Sequence, residues 1–187
     1  MPQESAGDDM GTDIDFMGFS GDCRVEGRVD LADSRLADLL NGHETITVRQ
    51  VTVFSMLDGH TEEFDKLEIS RDELDIVVAS GPRGDPKRRL ATKPNGVTVK
   101  LGPYCAEGFM HAPPTANPVR SFDGKPVMVA ITDAVLEYQF CNEPVTQWFR
   151  TLLVNRELAI SLRTAVGAGG MQPGVAEDSE VSIRFPV

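Results

Sequence analysis

The side chains best suited to chemistry in this chain are few, and they stand apart. Its histidines are His43, His60 and His111, and its cysteines are Cys23, Cys105 and Cys141. A zinc site asks for four convergent ligands, as a rule in close pairs. Only Asp58-Gly59-His60 puts two donors into one turn, and Cys105 precedes His111 by six residues. Neither spacing builds a site, so no metal and no cofactor is expected. Nucleophilic catalysis is equally unsupported: Gly18-Phe19-Ser20-Gly21 lacks the spacing of a nucleophile elbow, and no helical pattern follows it. Gly167-Ala168-Gly169-Gly170 has Gln172 where a dinucleotide loop needs its last glycine, so it reads as a spacer. No catalytic residue is assigned.

Two other groups of residues remain. Arg71 and Arg156 lie in two similar turns, and Lys87-Arg88-Arg89 forms a basic run; these five are the candidates for a ligand or RNA contact. Trp148 neighbours Phe149 in an extended segment, where successive side chains face opposite ways, so one of the two must leave its own core. With Ile183 and Phe185 of the alternating segment Val181–Val187, they are the candidate interface, either between two parts of this chain or with another chain.

The elements that would carry these residues are mostly strands. Cys23, Val25, Gly27 and Val29 alternate with Arg24, Glu26 and Arg28 at the period of a half-buried strand. Asp33 to Gly42 reads as a short helix, capped by Asp33 or Ser34 and stopped by Gly42, with Leu36, Leu39 and Leu40 on one face. Ile46, Val48, Val51 and Val53 mark a strand whose alternation breaks at Arg49-Gln50, the sign of a bulge. After a turn at Asp58-Gly59 come a strand with Phe64, Leu67 and Ile69, a tight turn at Ser70–Glu73, and a strand with Leu74, Ile76 and Val78.

The same order then recurs. Glu26-Gly27 is matched by Glu107-Gly108, and the helix by Asn117 to Gly124, with Asn117 as cap and Pro118 in the first helical position. Ile46, Val48, Val51 and Val53 are matched by Val129, Ile131, Ala134 and Leu136, and Phe64, Leu67, Ile69 and Arg71 by Phe149, Leu152, Val154 and Arg156. The spacing between matched residues changes only across turns, where insertions cost least. The reading is a tandem repeat: an acidic tail over 1–12, expected to be disordered; a first β-barrel repeat over 13–80; a basic Gly/Pro linker over 81–96; a second repeat over 97–165; and a flexible spacer with a strand-like end over 166–187.

Each copy, with one short helix among its strands, fits a small bent-sheet barrel. Gly27-Arg28-Val29 followed by Asp33, together with Ile69-Ser70-Arg71-Asp72-Glu73-Leu74 and Val154-Asn155-Arg156-Glu157-Leu158, resembles the two motifs of Sm-like domains, relatives in shape of SH3-like barrels. That resemblance implies pairing of strand edges between subunits and a site for uridine-rich RNA. Asp72 and Glu157 stand where those motifs have glycine, and they put acid where RNA phosphate would approach. The chain is also similar to uncharacterised small bacterial domains, through Gly27-Arg28-Val29, the Arg35-Leu36-x-Asp38-x-Leu40-Asn41 helix and Asn-Arg-Glu-Leu turns.

Charge argues in the same direction. The formal net charge is −11, and the acids are concentrated before residue 81, while 81–103 carries six bases and one acid. Neutralising a phosphate backbone needs clustered Lys and Arg, so nucleic acid is a minor expectation. The longest purely apolar run, Val127 to Ile131, is far short of the ~20 residues that span a bilayer, so no membrane partner is expected. An acidic, polar start and three cysteines without a CxxC pair suit a cytoplasmic, reducing setting. The fold class is mainly β, with two tandem Sm-like or SH3-like barrels. The function expected is a non-enzymatic interaction or scaffold protein that self-associates through strand edges or binds a protein partner. The alternatives are a small-molecule sensor or enzyme with its site between the repeats, and an Sm-like RNA-binding module.

Overall fold

The computed structural model describes residues 12–31, 35–82, 91–164 and 183–184. The acidic tail to residue 11, Asp33 and Ser34, the basic run with Lys87, Arg88 and Arg89, the glycine-rich spacer, and Phe185 lie outside them. The first half contains β1 (Thr12–Ser20), β2 (Cys23–Leu31), α1 (Leu36–Gly42), β3 (Thr45–Ser55), β4 (Thr61–Ser70), a single 3-10 turn at Arg71–Glu73, and β5 (Ile76–Val78). The second contains β6 (Lys93–Leu101), β7 (Tyr104–Ala112), α2 (Pro118–Asp123), β8 (Met128–Phe140), β9 (Glu143–Asn155) and β10 (Ser161–Thr164), and β11 (Ile183–Arg184) follows. The protein is mainly β, and no described helix is long and apolar enough to cross a membrane.

Each half runs as an antiparallel meander whose last strand returns to its first. β5 lies on β1 through Phe19↔Ile76 and Gly18↔Val77, and β10 lies on β6 through Lys100↔Ser161 and Val99↔Leu162. The expected separate barrels do not form by strand pairing. Among the described residues the strands make one open sheet in the order β11-β10-β6-β7-β8-β9-β5-β1-β2-β3-β4. The reason is β5. Instead of pairing with β4 to close its own half, it uses its second side to pair with β9, through Ile76↔Val154, Val77↔Leu153 and Val78↔Leu152.

This seam also mixes the two cores. The second-half core takes in Phe19, Met56 and Ile76 from the first half, and the first-half core takes in Met128 and Leu153 from the second. Phe19 sits against Tyr104 and Tyr138, with both ring centroids 5.5 Å away, an edge-on to tilted geometry that suits aromatic quadrupoles.

The helices and bulges follow from the local sequence. Asn117 Oδ1 accepts from the Val119 and Arg120 amides, and Pro118 opens α2 as expected. In α1 the flanking residue is Arg35, whose guanidinium clamps Asp38 at 2.7 Å. The break in alternation at Gln50 is real: Gln50 and its counterpart Asp133 have φ of 51° and 48°, and β2 and β7 shift register opposite them. Gly27 and Gly108 lie at those shifts because a strand bulge brings the neighbouring backbone too close for a side chain.

Candidate functional site

The seam and the free ends of the sheet are where the two halves differ most, and the differences are built from single residues. Asn41, near the end of α1, reaches across to the start of β8. Its Oδ1 accepts from Met128 N at 2.9 Å and its Nδ2 donates to Met128 O at 3.1 Å, as a neighbouring strand would. Asn155, 1% exposed, donates from its backbone to Asp75 O at 2.9 Å and from Nδ2 to Arg71 O at 3.3 Å. Leu153 and Met128 sit buried in the first-half core. The second half thus docks on the first through an apolar pair framed by two amides.

The first half presents the corresponding positions to the outside, and there they are polar. In the β3–β4 pairing Thr45 lies opposite Ser70, as Met128 lies opposite Asn155 in β8–β9, and Glu68 stands where β9 has Leu153. Thr45 and Glu68 are exposed. β4 is the end strand of the sheet, and its run Glu62, Glu63, Asp65, Glu68 makes that end acidic, with Lys66 lying 3.7 Å from Glu68. Charged residues on an edge oppose indiscriminate pairing with other strands.

Asp75, at the entry to β5, is the seam's buried acid, 8% exposed, and its Oδ2 accepts from Gly21 N at 2.8 Å. Burial pushes its carboxyl above the ordinary aspartate value, and the Gly21 hydrogen bond only partly opposes this. The folded chain therefore holds this proton more tightly than the unfolded chain does. The stability linked to Asp75 is fully present below the unfolded carboxylate pKa and is lost as pH rises through the native one. Asp75→Asn keeps an acceptor for Gly21 and carries no charge. It should raise the melting temperature at neutral pH, where the aspartate would be charged, and change little at about pH 3. Equal melting of both proteins across that range would show that the carboxylate is not strained.

The candidates from sequence do not converge. Arg71 pairs with the adjacent Asp72 at 2.8 Å and Arg156 with the adjacent Glu157 at 3.4 Å, in separate turns. Trp148 is 61% exposed on the outer face of β9 and does not pack between the halves, while Phe149 is buried in the second-half core. Ile183 belongs to β11, which lies on β10 of the same chain. His60 faces Glu62 at 3.8 Å, and His111 lies between Thr92 and Thr132. Burial is the first cause that raises the thiol pKa of Cys23 and of Cys105, which disfavours the thiolate form of both. Among the described residues no three His, Cys, Asp or Glu side chains gather as metal ligands do.

A groove of ≈ 430 Å³ opens over Gly27, between Met17, Glu26, Thr52 and Val78, and a more polar one of ≈ 540 Å³ lies between Gln50, Thr52, Glu63 and Asp65. The arginine on the wall of the first is committed: Arg28 pairs with Asp13 and Asp15 at 2.8 Å, and Arg49 joins Asp13 at 2.9 Å. At the hairpin tips, the Arg24 guanidinium lies 4.5 Å over the Phe54 ring and 5.9 Å from that of Phe140. In the sequence Asn41 and Asn155 stand out only as members of motifs and Asp75 not at all, because a contact with a distant strand leaves no local pattern. The signal that could have found the site is asymmetry between copies: Leu153 against Glu68, Asn155 against Ser70, Met128 against Thr45. No family model, no curated protein and no solved structure matches this chain.

Proposed function

We propose that this chain is a non-enzymatic interaction protein, built from two small bent sheets of the Sm-like or SH3-like kind, that takes up an extended segment of a protein partner by strand addition at β4. One observation carries the reading. β9, the counterpart of β4, receives β5 along its outer side, and β4 has that side open among the described residues. Strand addition gives affinity through main-chain hydrogen bonds and specificity through the side chains that meet across the edge. Those on β4 are Glu62, Glu63, Asp65 and Glu68, so the segment that fits is extended and carries Lys or Arg. An Sm-like RNA site has less support, because Arg71 and Arg156 are each tied to an adjacent acid. Self-association through edges has one observation in its favour, since β10 is the counterpart of β5, but β11 already lies along β10.

The test is a peptide copying residues 73–80 with lysine in place of Val77, the residue that faces Leu153 and would here face Glu68. It should bind the full chain and slow hydrogen exchange over residues 61–70. Glu68→Lys should weaken binding at least ~10-fold, the equivalent of ~1.4 kcal/mol. Unchanged exchange over 61–70 at millimolar peptide would overturn the proposal.

A further inference from the structure

β11 stands at the second half's open end in the register that β9 occupies at the first half's. The correspondence runs through the strands beneath. The β1–β2 turn closes at Ser20↔Cys23 and the β6–β7 turn at Leu101↔Tyr104, which makes Phe19 the counterpart of Lys100. Phe19 pairs with Ile76 and Lys100 with Ser161, so Ile76 corresponds to Ser161 and Val77 to Leu162. Leu153 lies opposite Val77, and Ile183 lies opposite Leu162; Val154 lies opposite Ile76, and Arg184 lies opposite Ser161. Ile183 therefore holds the register position of Leu153.

The surface around that position is short of cover. Asp75 is 8% exposed where the second half docks on the first, whereas its counterpart Ile160 is 49% exposed, and Leu158 beside it is 37% exposed. Ile160 N donates to Lys100 O as Asp75 N donates to Phe19 O, so the backbone frame is the same and only the covering strand differs. The second half thus ends in an apolar rim beside a strand edge, and the chain supplies an alternating apolar sequence, Val181, Ile183, Phe185 and Val187, at its own C-terminus.

We propose that the C-terminal segment centred on β11 is a strand donor acting within its own chain, occupying at β10 the place that β9 occupies at β5. It closes an edge that would otherwise accept a second copy's β4, and so keeps the chain from propagating head to tail. Heterologous edges of this kind extend into rings or filaments when nothing stops them. The proposal is independent of partner capture at β4, because its footprint falls on residues 161–164 and not on 61–70.

The experiment compares the full chain with a chain ending at residue 180, using a peptide of residues 179–187 as the added strand. Truncation should speed hydrogen exchange at part of 161–164 at least ~10-fold, and the peptide should restore it. The peptide should bind the truncated chain at least ~10-fold more tightly than the full chain, and Ile183→Asp in the peptide should abolish that binding. If the truncated chain fails to fold, the full-length Ile183→Asp variant is the second measurement, and it should lose protection at the same residues. Unchanged exchange at 161–164 in whichever variant folds, equal affinity for full and truncated chains, or equal binding by the Ile183→Asp peptide would overturn the proposal.

Discussion

Leu153→Glu should lower the melting temperature by about 10–15 °C and open the seam between the halves before either core unfolds. Leu153 is 1% exposed and lies in the first-half core, opposite Val77. A carboxylate there would lie in an apolar cluster that includes Leu74, Val77 and Met128. Leaving an uncompensated charge in such a site costs about 3–5 kcal/mol. For a chain of this size each kcal/mol moves the midpoint by about 2–4 °C. The substitution also copies what the protein already has at the outer edge, where Glu68 stands exposed at the corresponding place. The reverse change, Glu68→Leu, should leave the melting temperature within about 2 °C of the parent, because surface positions tolerate exchange. Melting curves and hydrogen exchange at 76–78 and 152–154 distinguish the two variants. A Leu153→Glu protein that melts with the parent would mean that the seam does not hold the halves together.

That contrast also marks where the sequence stopped being informative. Alternation located the strands wherever one face is buried and the other wet, as in Val25 and Val29, because burial imposes a period of two. Asn117-Pro118 identified the start of α2 because a cap acts through residues adjacent in sequence. The Gln50 bulge could be read because it breaks a period. Pairing between β5 and β9 leaves no such mark. Ile76-Val77-Val78 is buried through Val77 and would look the same against β4, β9 or another chain, so two self-contained barrels were the expectation. Trp148 was legible only in part: one of the pair leaves the core, since Phe149 is buried, but a strand gives no sign of what covers its other face. The seam residues were legible only as differences. Once Met128, Leu153 and Asn155 are set against Thr45, Glu68 and Ser70, one surface reads as buried and the other as exposed, although both belong to the same repeating core pattern.

The second large effect is expected at Gly108, where a side chain has nowhere to go. A Cβ there would lie 2.7 Å from Ile131 Cγ2, 2.8 Å from Thr132 O and 3.0 Å from Ala134 Cα. Two of those three atoms are backbone, on the segment of β8 that carries the Asp133 bulge, so relief requires moving the strand itself. Overpacking a well-packed core costs about 1–3 kcal/mol when side chains can yield, and more when they cannot. Gly108→Val should therefore cost about 4 kcal/mol and lower the melting temperature by about 8–16 °C. Gly27→Val should behave alike, its Cβ falling 2.6 Å from Val48 Cγ1 and 2.8 Å from Arg49 O. Gly42→Ala is the control: nothing lies within 4 Å of its Cβ, and its φ is not in the left-handed region. It should melt within about 2 °C of the parent. Should Gly108→Val melt beside Gly42→Ala, the Glu-Gly pairs would be incidental to the bulges. Should it melt far below, the two bulges that bend β3 and β8 are what those glycines are for, and through them the positions of β4 and β9 at the open end and the seam.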